Sequence, residues 1–467
     1  MKHEDLKGKR VTVFGLGVNE GGVGTVEFLE RAGVHEIIVT DRKTCEELAP
    51  SLSRLDRYEN ITYVLGRHRP EDFSRTDLVV KNPAIPWTNK YVQLAESEGI
   101  PVEMDSGIFF ENCRNTIIGV TGTKGKTTTS GLIAHILRES GRQVVPVGVS
   151  REPVLGALEG LNPDDTVVFE LSSWRLSALG RIQMSPHIAV FTNFFPDHLN
   201  YYGSVEAYRN DKRFLYAFQH EGDVLIAEAG LDFIRKDDPS SEKILYSALG
   251  DKVSSDGAFF RGEEAVVVRN GTETVLFRTS DIRIPGEHIR QDALAASVAA
   301  FVSGISGSEI ATALRTFRGM PHRLELVAEG RGVSYYNDSA ATVPESAVSA
   351  LRSFDRPVVI IAGGSDKGLD FGPLAEEILR RAKAAIFLKG EGTDKLFAEI
   401  RKRPYGTEFL EGSESVSGMG EAVEKSVLVS EPGDIVLLSP GAASFGMFRN
   451  EFDRGERFRE AVERLAT

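Results

Sequence analysis

One stretch constrains this chain more than any other: an apolar run, Thr116–Thr121, then Gly122-Thr123-Lys124-Gly125-Lys126-Thr127-Thr128, then an amphipathic stretch through Leu137. The order strand, glycine-rich turn, helix is what a phosphate-cradling loop requires. Glycines let backbone N–H groups turn toward an anion, and the helix N-terminus adds positive potential. In such a loop Lys126 reaches the terminal phosphates and Thr127 presents its hydroxyl to Mg²⁺. The common G-x-x-x-x-G-K-[ST] pattern places a glycine at position 120. Val120 stands there, so the match is to a variant loop.

Similar units recur along the chain. Val11–Phe14 reads as a buried strand, followed by a glycine-rich turn and a helix over Thr25–Ala32. Glu36–Thr40 and Leu78–Lys81 read as further strands, and so do Val167–Glu170, Ile188–Thr192 and Asp223–Ala227. From about Lys252 to Ile284 apolar and polar residues alternate around Asn270-Gly271, which predicts antiparallel hairpins. A helix follows over Gln291–Val302. Val358–Ala362, Ala385–Leu388 and Asp434–Ser439 are strands of a last unit. The expected class is α/β with three domains: a Rossmann-like one at 1–104, a central ATPase-type sheet at 105–319, and a second Rossmann-like one at 320–467.

Two weaker signals accompany the loop. Gly15-Leu16-Gly17 follows the first strand, with Asp41 at the end of the second. This resembles a dinucleotide fingerprint, but the third glycine position falls on Glu20, and Gly21, Gly22 and Gly24 come instead. A tight turn without a ligand would look the same. Glu170 ends a strand of the central region, His198 follows another and Lys212 falls on a predicted helix; the three suit Mg²⁺ binding. Each taken singly reads as a surface or capping residue.

Composition excludes some classes. With 55 Lys+Arg against 68 Asp+Glu the formal charge is −13, unfavourable for non-specific nucleic-acid binding. The two cysteines, Cys45 and Cys113, form no disulfide framework and no metal-ligand spacing. No apolar run approaches the ~18 residues of a membrane span, and the polar start MKHEDLKGKR has no signal-peptide core. A cytoplasmic protein, and a monomer, is expected.

GTKGKTT at Gly122, ELSSW at Glu170, TNFFPDHLN at Thr192, YRNDK ending at Lys212, PHRLE at Pro321, NDSAAT at Asn337 and LLSPGAASF at Leu437 together carry a resemblance over essentially the whole chain. The sequence resembles the Mur ligases of peptidoglycan synthesis, and among them most closely the MurD type. That resemblance implies a first domain for a UDP-sugar, a second for ATP and a third for an amino acid. It implies phosphoryl transfer from ATP to the carboxylate of UDP-MurNAc-L-Ala, an acyl phosphate, and attack by the amine of glutamate, D-glutamate above all. L-glutamate or another amino acid is the alternative.

The resemblance also implies roles. Gly122, Thr123, Lys124, Gly125, Lys126, Thr127 and Thr128 would bind ATP, joined by Arg323 and Asp338. Thr127, Glu170, His198 and a carbamylated Lys212 would serve two Mg²⁺ ions, with Lys126, His198 and Lys212 catalytic. Leu16, Gly17, Asp41, Arg42 and Asn82 fall on the uridine side. Ser172 would touch substrate, and Thr342, Lys367 and Ser444 would form the glutamate pocket. Site residues spread over domains suggest closure on substrate.

The chain departs from the family pattern in four places. Ser150-Arg151-Glu152 replaces Asn-Ile-Gly. His288-Ile289-Arg290-Gln291-Asp292 replaces His-Asn-x-x-Asn. Ala340 stands for a lysine, and Arg175 stands where glutamine is common. Two rival readings are an NAD-dependent oxidoreductase, drawn from the first glycine turn, and a catalytically silent nucleotide-binding module. The first leaves the Lys126 loop and the Glu170, His198, Lys212 set without a role; the departures leave room for the second.

Overall fold

The computed structural model describes every residue except 1, 19, 150, 151, 249–252, 254, 255, 414 and 467. The described residues form three sheets. Two of these lie in one compact unit, residues 1–281 and 291–314; the third lies in a second unit, residues 282–290 and 315–467.

The first sheet is wholly parallel, in the order Ile61–Leu65, Glu36–Asp41, Arg10–Phe14, Leu78–Lys81, Val102–Glu103. The chain winds one way from the central strand, then crosses to its other side. Ligands of open parallel sheets bind at such a reversal, beyond the carboxyl ends of the strands. Gly15 and Asn82 sit at that point here, and the Asn82 N–H donates to the Phe14 carbonyl at 2.8 Å.

The second sheet has nine strands. Its parallel part is ordered Glu242–Ser247, Val224–Glu228, Ile188–Phe191, Ile117–Thr121, Thr166–Glu170, Val144–Val147. The reversal falls between Ile117–Thr121 and Ile188–Phe191, so the Gly122 loop and Thr192-Asn193 emerge side by side. Gly257–Arg261 extends the sheet parallel to Glu242–Ser247, and Glu264–Arg269 and Thr272–Arg278 follow, each antiparallel to its neighbour. Asn270 and Gly271 both have positive φ (53° and 71°), the two-residue hairpin turn that the Asn-Gly pair favours. Lys252, where the hairpin region was expected to begin, lies outside the described residues.

The third sheet runs Glu325–Gly330, Val333–Asn337, Ile435–Leu438, Val358–Ala362, Ala382–Leu388, Ser415–Val416. All neighbours are parallel except the first pair.

Among the described residues seven strands are absent from the sequence reading: Ile61–Leu65, Val144–Val147, Glu242–Ser247, Val102–Glu103, Glu325–Gly330, Val333–Asn337 and Ser415–Val416. The first two are edge strands, half-solvated, with Tyr63 exposed and Pro146 interrupting the second. Neither pattern nor a hydrophobic run marks such a strand. Behind the first two sheets a single apolar cluster joins Val26 and Leu29 of the helix Gly21–Arg31 to Val154, Leu155, Phe169 and Phe191.

That helix begins against the glycine turn. A Cβ on Gly22 would lie 2.2 Å from the Leu16 carbonyl oxygen, a backbone atom that cannot swing away. The close approach usually made by the third fingerprint glycine is thus made two residues later. For Gly22→Ala, the gain in helix propensity of about 1 kcal/mol is set against an overpacking cost of about 1–3 kcal/mol. The clash wins because the obstacle is backbone. Gly22→Ala is expected to lower the thermal unfolding midpoint; an unchanged or raised midpoint contradicts the close packing.

Candidate active site

The strand Ile117–Thr121 delivers the chain into the loop, and Gly125 caps the helix Lys126–Glu139 in the left-handed conformation (φ 79°). The Lys126 ammonium donates back to the carbonyls of Gly122 and Thr123, both at 3.0 Å. The loop is held from the neighbouring strand end. Asn193 accepts from the Lys124 N–H at 2.8 Å through its side chain and from the Thr123 N–H at 3.0 Å through its carbonyl. Its amide donates to the Lys124 carbonyl at 3.0 Å, as the Thr192 hydroxyl does at 2.7 Å. Two loop N–H groups are therefore committed internally. Backbone donors for an anion are left to the start of the helix, where the first N–H groups have no partner within it. The Lys124 side chain is exposed, 3.9 Å from Asp197.

Lys212 lies on the helix Val205–Arg213, capped by Ser204, and is 1% exposed. Its ammonium donates to the Gly122 carbonyl at 2.8 Å and lies 3.3 Å from the Thr121 hydroxyl. Two lysines thus share one carbonyl. Burial, reinforced by Lys126, pushes the Lys212 amine well below its ordinary range; Asp197 and Glu170 oppose this. Glu170 stands across from Val120 in the pairing of Thr166–Glu170 with Ile117–Thr121.

His198 takes a left-handed backbone conformation (φ 53°), with 44% of its side chain exposed. Its ring packs against Trp174 at 5.1 Å and Tyr208 at 6.0 Å. The Lys212 ammonium lies 4.9 Å from the same Tyr208 ring, and the Tyr208 hydroxyl is 3.3 Å from that of Thr123. Tyr208, given no role in the sequence reading of YRNDK, is the side chain that gathers His198, Lys212 and the loop.

Asp292 lies beneath the loop. Gly125 has φ 79°, a conformation that side chains rarely adopt, and a Cβ there would also meet the Asp292 carboxylate at 2.4 Å. Burial pushes the Asp292 carboxyl up to about 8, with the Thr129 hydroxyl partly offsetting it.

A cavity of about 360 Å³ opens at the reversal of the first sheet; its walls include Gly15, Gly22, Asn82, Asp105, Ser172 and Arg175. Of the residues expected on the substrate side, Asn82 and Ser172 reach it. Leu16, Gly17, Asp41 and Arg42 are not among its described lining residues. The Leu16 side chain is in the core. The Asp41 carboxylate accepts from the N–H groups of Gly17 and Lys43, both at 2.9 Å, and so shapes the glycine turn. The Ser172 hydroxyl accepts from the Arg175 N–H, capping the helix Ser173–Ile182. Sequence reasoning missed the pair of Arg175 and Asp105, 3.2 Å apart on the cavity wall, and the buried Lys81, which burial pushes down to about 7. Long-range pairing leaves no local pattern.

In the second unit the strand ends carry the remaining residues. Asp338 is buried; it accepts from the Ser439 hydroxyl at 2.7 Å and the Leu324 N–H at 3.3 Å. Burial pushes it up to about 7, against those bonds and the charges of Arg323 and Arg454. Arg323 is exposed, and the exposed Lys367 stands over the Phe445 ring at 5.3 Å. Thr342 is half-buried and Ser444 is buried. Ser150 and Arg151 lie outside the described residues.

Family models match three segments: residues 9–103 match the Mur ligase MurD-like N-terminal domain, 120–300 the Mur ligase middle domain and 322–441 the Mur ligase glutamate ligase domain. The chain is 42% identical to UDP-N-acetylmuramoylalanine–D-glutamate ligase of Roseiflexus sp. (strain RS-1), over 98% of this chain and 99% of that protein. It is 34% identical to the protein of the same name from Symbiobacterium thermophilum, over 98% of each. UDP-N-acetylmuramate-alanine ligase from Thermotoga maritima shares its fold, with a TM-score of 0.56 at 20% identity over 98% of this chain and 100% of that one.

The Asp292 environment yields a signed prediction. An aspartate is ionised in the unfolded chain above its usual pKa of about 3.9, whereas the folded chain keeps Asp292 protonated up to about 8. Folding therefore takes up a proton between those values. This group's contribution to stability declines as pH rises and levels off above about pH 8. Asp292→Asn is expected to melt above the parent at pH 8, with the gap closing toward pH 4. An equal or lower midpoint at pH 8 contradicts the assignment.

Proposed function

The chain belongs to the Mur ligase family, and from that premise we propose how its own residues carry the family's reaction. It is an ATP-dependent ligase that adds D-glutamate to UDP-N-acetylmuramoyl-L-alanine in peptidoglycan precursor synthesis. The observation that supports the chemical reading is the meeting of Lys126 and Lys212 on the Gly122 carbonyl. The Lys126 cation meets the anionic triphosphate and carboxylate there, while burial beside that charge favours the neutral Lys212 amine.

In this reading the substrate carboxylate attacks the γ-phosphorus of ATP, ADP leaves, and an acyl phosphate forms. The amine of glutamate then attacks the acyl carbon. The tetrahedral adduct collapses to amide and phosphate, and the amine's surplus proton is lost. Lys126 and the helix N-terminus hold the phosphates and offset the charge that spreads over the transferring group. Arg323 and Asp338 are assigned to ATP. Thr342, Lys367 and Ser444 are assigned to glutamate, where Lys367 supplies a cation for a dicarboxylate. Asn82 and Ser172, in the cavity of the first unit, are assigned to the UDP-sugar. Leu16, Gly17, Asp41 and Arg42 shape or flank its uridine end.

Two Mg²⁺ ions fit the donors. Among the described residues no three His, Cys, Asp or Glu side chains form a metal cluster by themselves. Mg²⁺ is, however, commonly held by one or two carboxylates plus substrate phosphates. Thr127 and Glu170 supply oxygens. His198 and Lys212 would serve the second ion, Lys212 as a carbamate formed from its neutral amine and CO₂ with loss of a proton. Burial of the amine favours the neutral form that this step needs. When bound, Mg²⁺ would supply positive charge that offsets the repulsion among the anionic substrates. We place the protein in the cytoplasm as a monomer, with domains at 1–104, 105–319 and 320–467. Among the described residues no helix is long and apolar enough to cross a membrane.

A panel of D- and L-amino acids with UDP-N-acetylmuramoyl-L-alanine, read by phosphate release, tests the specificity. D-glutamate should dominate, and a preference for L-glutamate or another amino acid overturns it. Lys126→Ala should abolish turnover; activity within tenfold of the parent sinks the role of this lysine. Lys212→Ala should be inactive and partly recovered by formate or acetate. Full activity without them rules out the carbamate.

A further inference from the structure

Arg454 is the largest fully buried side chain among the described residues, at 0% exposure on the helix Glu451–Ala466. Arginine at such a depth ordinarily pairs with a carboxylate. Its guanidinium bonds are instead to a hydroxyl and to backbone. Nε donates to the Ser339 hydroxyl at 3.0 Å, Nη2 to the Ser339 carbonyl at 2.8 Å and Nη1 to the Ala442 carbonyl at 3.0 Å. The Ser339 hydroxyl passes its own proton to the Glu451 carbonyl at 2.7 Å, which closes the link to the helix. Glu451 and Asp338 are the acids near enough to favour the charge. Burial pulls the guanidinium down to about 10, so it stays protonated at neutral pH.

Both acceptors lie in loops at the carboxyl ends of neighbouring strands, Val333–Asn337 and Ile435–Leu438. The Ser339 loop leads from Asp338 to Thr342; the Ala442 loop leads to Ser444. The Gly441 N–H donates to the Ala341 carbonyl at 2.9 Å, so the loops also touch directly. A planar fork with fixed donor directions holds two loops in one register, which a flexible ammonium does not. We propose that Arg454 is a positioning residue of the amino-acid pocket: it sets the spacing of the Asp338–Thr342 and Pro440–Ser444 loops, and so the geometry that glutamate meets. This rests on the assignment of Thr342 and Ser444 to that pocket.

The test is steady-state turnover of the full-length enzyme with ATP, UDP-N-acetylmuramoyl-L-alanine and D-glutamate, beside thermal unfolding. Arg454→Lys keeps the charge and loses the fork. Ser339→Ala keeps the arginine and removes one acceptor, a milder change that retains the fold if the lysine variant does not. Both should raise KM for D-glutamate at least fivefold, with KM for the UDP-sugar within twofold of the parent. Arg454→Ala should recover activity with millimolar guanidinium but not with methylammonium. Thr342→Ala and Ser444→Ala are run in parallel. If these two leave KM for D-glutamate unchanged, the pocket assignment falls, and the inference with it. If they raise it while Arg454→Lys and Ser339→Ala do not, the role of Arg454 alone is overturned. KM values for both substrates rising together with a falling unfolding midpoint also overturn it, as the mark of a purely structural residue.

Discussion

Two ammonium groups meeting on the Gly122 carbonyl are the constraint around which the first unit is arranged. Burial and the neighbouring Lys126 charge both disfavour the protonated form of Lys212. The surrounding framework holds the pair together. Thr192 and Asn193 fasten the loop from the next strand, and Tyr208 closes over Lys212 and Thr123. Asp292 lies against Gly125 from below. Each holder belongs to a different segment, so the arrangement exists only when the reversal between Ile117–Thr121 and Ile188–Phe191 is formed. In the proposed mechanism the Lys126 charge is the local positive feature at this loop in a chain with a net charge of −13.

The sequence displayed the parts whose cause is local. Buried parallel strands read as apolar runs ending in glycine or polar residues, and Leu78–Lys81 and Val358–Ala362 appear with the expected bounds. The Asn270-Gly271 turn announced its hairpin through backbone preference alone. Parts with a tertiary cause were not legible. Lys212 in Tyr-Arg-Asn-Asp-Lys has the look of a solvated helix end, and only the Tyr208 ring and the neighbouring sheet bury it. Arg454 lies in a charged helix, and nothing local marks it as the most buried arginine. Asp41 reads as a ribose ligand from spacing; that its carboxylate also accepts from the Gly17 and Lys43 N–H groups is not visible there.

The departures from the family pattern acquire physical content at two positions. Arg175 faces Asp105, so the added cation comes with a counter-charge on the cavity wall rather than as a free positive group. Asp292 is kept neutral at physiological pH by burial, which makes it a closer stand-in for an asparagine than its formal charge suggests. Both changes leave the phosphate loop and its two lysines intact. In the proposed mechanism carboxylate activation rests on the loop, whose residues neither change touches.

Carboxylate activation is the central claim, and an isotope experiment reads it directly. UDP-N-acetylmuramoyl-L-alanine labelled with ¹⁸O in the alanyl carboxylate is turned over with ATP and D-glutamate, and the released phosphate is analysed by mass. Passage through an acyl phosphate moves one labelled oxygen into inorganic phosphate for each amide formed. Unlabelled phosphate accompanying full amide formation would contradict the account.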